Sequence, residues 1–240
     1  MHSYVGRRFY KTVKNAQPYI KYNIFGTKTG RLSTQQGSFP ILTISKNYRS
    51  VLRPTNGYFV ELDFNATELR VLLALSETEQ PQEDLRDWNI QNVFRGVGTR
   101  EEAKKRMFAW LYNPASKDYL LDRFYSRESV VKKYFNNGQV TTFFDRTIES
   151  DEYHALNYII QSTASDLFMK QVLKIDKLLE GKKSFISFMV HDSFVIDFHK
   201  EDKGLLKEVI RIFSDTEFGK FKTNLKIGTD FGNIRRVDYG

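Results

Sequence analysis

The chain has 240 residues and a net charge of +8, with 37 Lys and Arg against 29 Asp and Glu. That length supports a sizeable core, and a pI near 9.4 suits a polyanionic partner, nucleic acid above all. Cysteine is absent, which excludes a disulfide framework and a thiolate metal site. The N-terminus MHSYVGRRFYK lacks the apolar stretch of a signal peptide, and runs such as Val71–Leu75 are too short to cross a bilayer, so a soluble, non-secreted protein is expected. No basic amphipathic helix is read here, which counts against a membrane surface as the polyanion.

From Met1 to about Tyr22 the chain is polar, basic and aromatic without a clear period. GTKTGRLSTQQGSF (Gly26–Phe39) reads as loop or bent strand. GYFVELDF (Gly57–Phe64) predicts a strand entered through a Pro-Thr-Asn-Gly turn, and NATELRVLLALS a helix with Asn65 as its cap and Glu68 at the third position. After a polar stretch and a short amphipathic piece ending at Phe94, GTREEAKKRMFAWLY predicts a helix capped by Thr99 with Glu102 completing the box. Asn113–Pro114 stops it. Ser126–Phe135 and His154–Glu180 predict further helices, with Gly181 closing the second and GQVTTFF as a short strand between them. Strands flank His191–Asp192 in SFMVHDSFVID, Leu205–Phe213 predicts a helix, and Leu225–Ile227 a last strand. Strands scattered among helices point to an α+β fold.

Three features carry chemistry. Asp63 ends an apolar strand and Asp192 lies in a hairpin turn. Each alone is an ordinary turn or capping residue, but together two strand-end carboxylates suit Mg²⁺ shared with substrate phosphates. On the helix 100–112, Arg100, Lys104, Phe108 and Tyr112 recur every four residues, each about 40° around the axis from the last. The stripe runs cation, cation, aromatic, aromatic. An ordinary amphipathic helix reads the same way, yet the order also matches a nucleotide, triphosphate at one end and base at the other.

DFNATELR (Asp63–Arg70), REEAKKRMFAWLY (Arg100–Tyr112) and VHDS (Val190–Ser193) resemble motifs A, B and C of the family A DNA polymerases, the bacterial polymerase I type. TGRLS (Thr29–Ser33) resembles the segment before motif A, and LNYIIQSTASD (Leu156–Asp166) the helix before motif C. The resemblance implies a palm, with an antiparallel sheet packed on helices, and a reduced fingers subdomain. Residues 1–76 would form the first part of the palm, 77–150 the fingers and 151–240 the rest of the palm. It implies template-directed DNA synthesis: Asp63 and Asp192 would hold two Mg²⁺ ions, with Mn²⁺ able to substitute, and Lys104 would assist catalysis. Arg100, Lys104, Phe108, Tyr112, Glu68 and Arg86 would meet the dNTP, Glu68 under the sugar. Arg31, Asn157, Gln161 and His191 would touch primer–template DNA.

Some positions depart from the family pattern. Ser193 stands where these polymerases carry a Glu, and HDS is also what single-subunit RNA polymerases show. Glu68 and Phe108 favour the DNA polymerase reading. Tyr153 replaces a family Arg, and Ala109 and Asn113 replace two glycines of motif B. No thumb or 3′–5′ exonuclease domain precedes TGRLS, so a fragment, or a minimal or split enzyme of viral kind with those parts on a separate chain, is the expectation. A cytoplasmic site in a bacterium or infected host cell goes with it. An RNA polymerase and a non-catalytic primer–template binding module are the alternatives.

Overall fold

The computed structural model of the chain describes residues 4–239. In chain order the elements are α1 (Tyr4–Lys14), β1 (Tyr22–Asn23), β2 (Ser33–Thr34), β3 (Gly57–Phe64), α2 (Thr67–Leu75), α3 (Leu85–Asn92), α4 (Arg100–Tyr112), α5 (Tyr119–Phe124) and α6 (Arg127–Tyr134). Then follow β4 (Phe135–Asn136), β5 (Gln139–Thr141), β6 (Thr147–Glu149), α7 (Glu152–Leu179), β7 (Phe185–Val190), β8 (Ser193–His199) and α8 (Leu206–Ser214), with β9 (Asp215–Thr216), β10 (Gly219–Lys220), β11 (Thr223–Gly228) and β12 (Arg235–Val237) last. The fold is α+β. It divides into two compact units, the first comprising residues 1–63, 171–213 and 223–240, the second 64–170 and 214–222.

The first unit is built on a five-stranded sheet of order β12-β11-β3-β8-β7. Antiparallel pairing sets Phe59 opposite Asp197, Glu61 opposite Val195 and Asp63 opposite Ser193, so β3 and β8 share faces residue by residue. On one face Phe59, Val195, Phe188, Ile41 and Phe231 form a buried cluster, against which Phe9 of α1 packs. On the other, Phe194 meets Phe213 of α8 edge-on at 4.9 Å. Asp197 is buried and accepts the backbone N–H groups of Thr55 (2.7 Å) and Asn56 (2.8 Å). That bond pair holds the Pro-Thr-Asn-Gly turn, where Gly57 takes φ +107°, and so sets where β3 begins. Tyr22 performs a similar service at the sheet's outer strand. Its hydroxyl donates to the Met189 carbonyl (2.7 Å) and accepts from the Met189 N–H (2.8 Å), which ties the β1–β2 ladder to β7. Burial pushes that phenol up to about 12.

The second unit is mostly helical, with β4, β5 and β6 forming a small antiparallel sheet. Trp110 of α4 is its central buried side chain, stacked obliquely on Tyr125 at 5.8 Å, with its indole N–H donated to Asp122 (2.8 Å). The Tyr125 hydroxyl in turn donates to Asn89 Oδ1 of α3 (2.8 Å). The capping box of α4 is present as expected: Thr99 Oγ1 accepts from the Glu102 N–H, and Glu102 accepts from the Thr99 N–H. Helix α7 has no internal Gly or Pro over 28 residues and stops just before Gly181, whose φ of +71° suits a helix end.

Two expectations need correcting. Asn65 does not cap α2: the residue before the helix is Ala66, left-handed at φ 51°, with no side-chain cap. The Asn65 side chain instead donates to Asp84 (2.8 Å) and accepts from the Leu85 N–H (2.9 Å), a tertiary use that outcompetes the local one. The N-terminal stretch read as aperiodic is also a helix, α1, and a basic amphipathic one. Gly6, Phe9 and Val13 face inward, and Phe9 stacks on Tyr48 at 4.3 Å. The helical period is present in Tyr4–Lys14 but is easy to overlook, because the mean hydropathy of the segment is low and its polar face is basic.

Candidate functional site

In the first unit Asp63 and Asp192 lie at neighbouring strand ends. The β7–β8 hairpin closes in two residues, His191 and Asp192, immediately before Ser193, which pairs with Asp63. Both turn residues are exposed, and His191 takes φ +57°, a conformation that costs a non-glycine side chain roughly 1–2 kcal/mol. Two-residue hairpin turns use positive φ, most readily met by Gly or Asn, so His191 occupies a costly position in this turn. Ser193 is buried and donates its hydroxyl to the Val190 carbonyl (3.0 Å), which closes the hairpin.

Asp63 is half-buried and held from β11. Its Oδ1 accepts from Asn224 Nδ2 (2.6 Å), and its Oδ2 from Lys226 Nζ (3.1 Å). Lys226 also donates to Glu61 Oε1 (3.0 Å). Glu61 and Asp63 lie two residues apart on one face of β3, as Asn224 and Lys226 do on β11. Burial pulls the Lys226 ammonium down, but the Glu61 and Asp63 carboxylates outweigh it and leave it above its ordinary value. Glu61, Asn224 and Lys226 are the members of this cluster that sequence reasoning missed. The one available signal was alternate acids in an otherwise apolar strand, GYFVELDF. Arg31 belongs to the same unit; it is exposed, between β1 and β2, directly after Gly30 at φ +74°.

The first unit also holds most of the molecule's electrostatic asymmetry. Ten of the 37 Lys and Arg precede Glu61, and none of the 29 Asp and Glu does. On α1, Arg7, Tyr10, Lys11 and Lys14 share the exposed face, at helical offsets of three, four and seven.

In the second unit the stripe helix behaves as its spacing implies. Ala103, Met107, Trp110 and Leu111 are buried, whereas Lys104, Phe108 and Tyr112 are half-buried and Arg100 is exposed. Phe108 and Tyr112 stack on each other at 5.8 Å. Arg100 is paired with Asp87 and, at 3.1 Å, with Asp84, which caps α3. Burial acts to raise the Asp84 carboxyl, but Arg100 and the α3 amides hold it below the usual range. Behind this pair lies Arg70, fully buried, whose guanidinium donates to the carbonyls of Asn65, Pro81 and Glu83, each at 2.8 Å. Desolvation lowers it to about 10, and its three carbonyl bonds fix the segment that leads into α3. Glu68 lies in the first turn of α2, where the helix dipole favours an acid, and Arg86 in the first turn of α3. Asn157 and Gln161 lie one turn apart on α7, both half-buried, and Asn157 Oδ1 is buried with no hydrogen-bond partner among the described residues. Tyr153 is 55% exposed.

The chain is similar over 95% of its length to the polymerase domain of Pol1 from M. smegmatis, solved in complex with DNA primer-template and dNTP, at a TM-score of 0.76 and 19% identity, covering 52% of that chain. The fold is that of a polymerase domain. Two curated relatives agree. The DNA polymerase I of Caldicellulosiruptor bescii is 27% identical over 242 residues, covering 78% of this chain and 28% of the relative. That of Aquifex aeolicus is 24% identical over 246 residues, covering 82% and 42%. The chain therefore spans less than half the length of either relative. No family model matches. No helix among the described residues is long and apolar enough to cross a membrane.

Proposed function

We propose that this chain performs template-directed DNA synthesis, transferring a nucleotidyl group from a dNTP to a primer 3′-OH. Residues 1–76 and 151–240 act as palm and 77–150 as reduced fingers. The observation that carries this reading is the pairing of Asp63 with Ser193, the residue that directly follows Asp192 in the hairpin turn, in a fold shared with a polymerase domain.

Two carboxylates on adjacent strand ends are hard oxygen donors, few enough to leave room for substrate phosphates, and so they fit Mg²⁺. Bound there, two such ions would stabilise charge on the attacking and leaving oxygens of the phosphoryl displacement. The chain's own residues do the rest. Asp63 and Asp192 hold the cations, while Lys104 and Arg100 offset the triphosphate charge, Arg100 by exchanging Asp84 and Asp87 for phosphate oxygens. Phe108 and Tyr112 supply aromatic surface to sugar and base, Arg86 a further cation, and Glu68 fills the space a ribose 2′-OH would need. Arg31, Asn157, Gln161 and His191 position the primer–template, and the unpaired Asn157 oxygen is suited to a base-edge or sugar donor.

Extension of a labelled primer with Mg²⁺ and dNTPs is the deciding experiment. Elongation with dNTPs and little with NTPs is expected. Elongation with NTPs alone would make this an RNA polymerase, which Ser193 after His191–Asp192 favours. Tight primer–template binding without elongation would make it a binding module.

A further inference from the structure

The geometry points to Lys226 as an internal cation that holds Asp63 until a divalent metal displaces it toward Glu61. The inference rests on Asp63 being a metal ligand and concerns what that ligand does before the metal arrives. Both oxygens of Asp63 already accept a hydrogen bond, one from Asn224 at 2.6 Å and one from Lys226 at 3.1 Å. A carboxylate has about four lone-pair directions, so a metal can still approach, but only within a few ångströms of a positive charge.

What separates Lys226 from an ordinary ion-pair partner is its second carboxylate. Glu61 accepts from the same ammonium at 3.0 Å and is only 8% exposed. An ammonium on a four-carbon stem can shift its weight between two oxygens without leaving its pocket, which a guanidinium fork does less readily. Asn224 stays behind when the ammonium moves, keeping Asp63 Oδ1 oriented. Lys226 is thus a positioning residue, and Glu61 the partner that receives it. The two carboxylates also explain why a lysine is tolerated here: the half-buried ammonium has two counter-charges, and the three side chains together keep a net negative charge that a divalent cation can offset.

The arrangement makes opposite demands on the two partners, which a direct binding measurement can read without catalysis. Mn²⁺ binding followed by electron paramagnetic resonance should be about tenfold tighter in Lys226→Met, because a like charge is removed from the metal's neighbourhood. It should be weaker in Glu61→Gln, where the ammonium has only Asp63 to hold, and weaker in Lys226→Arg, whose fork is less readily displaced toward Glu61. The double variant Glu61→Gln/Lys226→Met should bind Mn²⁺ more tightly than Glu61→Gln alone, and it removes both members of the ion pair together, so neither is left as a lone buried charge. In primer extension, Lys226→Met should reach half-maximal rate at lower Mg²⁺ while its maximal rate falls, since Asp63 has lost an anchor. Unchanged or weaker Mn²⁺ binding in both Lys226→Met and the double variant overturns the inference. Asp63→Asn separates the two levels. If it loses Mn²⁺ while the Lys226 variants do not respond, only the internal cation fails; if it binds Mn²⁺ as wild type does, the metal-ligand reading fails and takes this inference with it.

Discussion

The two compact units each hold a proposed site charge by pairing it, but they recruit the partners differently. In the first, the Asp63 carboxylate is held by Asn224 and Lys226, more than 160 residues along the chain. In the second, the Arg100 guanidinium is held by Asp84 and Asp87, within 16 residues and one helix away. Each of these two groups is thus already paired, and under the proposed function a ligand exchanges a partner rather than meeting a bare charge. The difference lies in cost. Arg100 and Asp87 are both substantially exposed, so exchange there disturbs little. Asp63, Glu61 and Lys226 are 20%, 10% and 33% exposed as side chains, so exchange requires a second buried acceptor to be ready.

The sharpest way to break this comparison is to remove the charge from the first unit. Asp63→Asn or Asp192→Asn should lower primer extension by about 10³-fold or more while leaving primer–template affinity nearly intact, because an amide cannot hold the divalent cation. Extension near the wild-type rate in either variant would end the assignment of the pair. In the second unit Lys104→Ala should slow single-nucleotide addition by about 10²-fold at saturating primer–template. Arg31→Ala should instead raise the primer–template dissociation constant. If Lys104→Ala changed only DNA affinity, the stripe helix would not be the nucleotide site.

These tests bear on elements that were legible to different degrees. The strand Gly57–Phe64 and the helix Arg100–Tyr112 were readable because their signals are local: an apolar run after a turn, and a Thr99–Glu102 box at fixed spacing. Asn65 misled for the opposite reason. Its local role as a cap is sound chemistry, but Asp84, Leu85 and Arg70 engage the side chain across a loop. Lys226 was invisible because its partners are set by which strand lies beside β3, and no pattern within NLKIG encodes that. The short helix α5 and the edge strand β12 were missed too, each too brief to show a period.

The correction at Asn65 sharpens a smaller effect. With no capping box at α2, Glu68→Ala should narrow the preference for dNTP over NTP by about tenfold. Its melting temperature should change by less than about 4 °C. A larger thermal loss with unaltered selectivity would make Glu68 structural.

The smallest effect expected is on acid stability in the second unit. Asp84 sits below the ordinary carboxylate range, so its pairing contributes stability above about pH 4 that is lost as pH falls through its depressed value. Asp84→Asn keeps a capping side chain but not the charge. Melting curves should therefore show wild type ahead at neutral pH and the two converging in acid. Equal melting points at neutral pH would show that the Arg100 pair adds nothing.

The absence of any carboxylate before Glu61 has a practical consequence at the bench. From Glu61 onward the chain carries 27 Lys and Arg against 29 Asp and Glu, so two proteins of opposite character share one polypeptide. A proteolytic product that lost the leading segment would move from a cation-exchange resin to an anion-exchange one. Intact protein should retain host nucleic acid through a purification until salt strips it, visible as an absorbance ratio that drops abruptly across a salt gradient rather than gradually with each column.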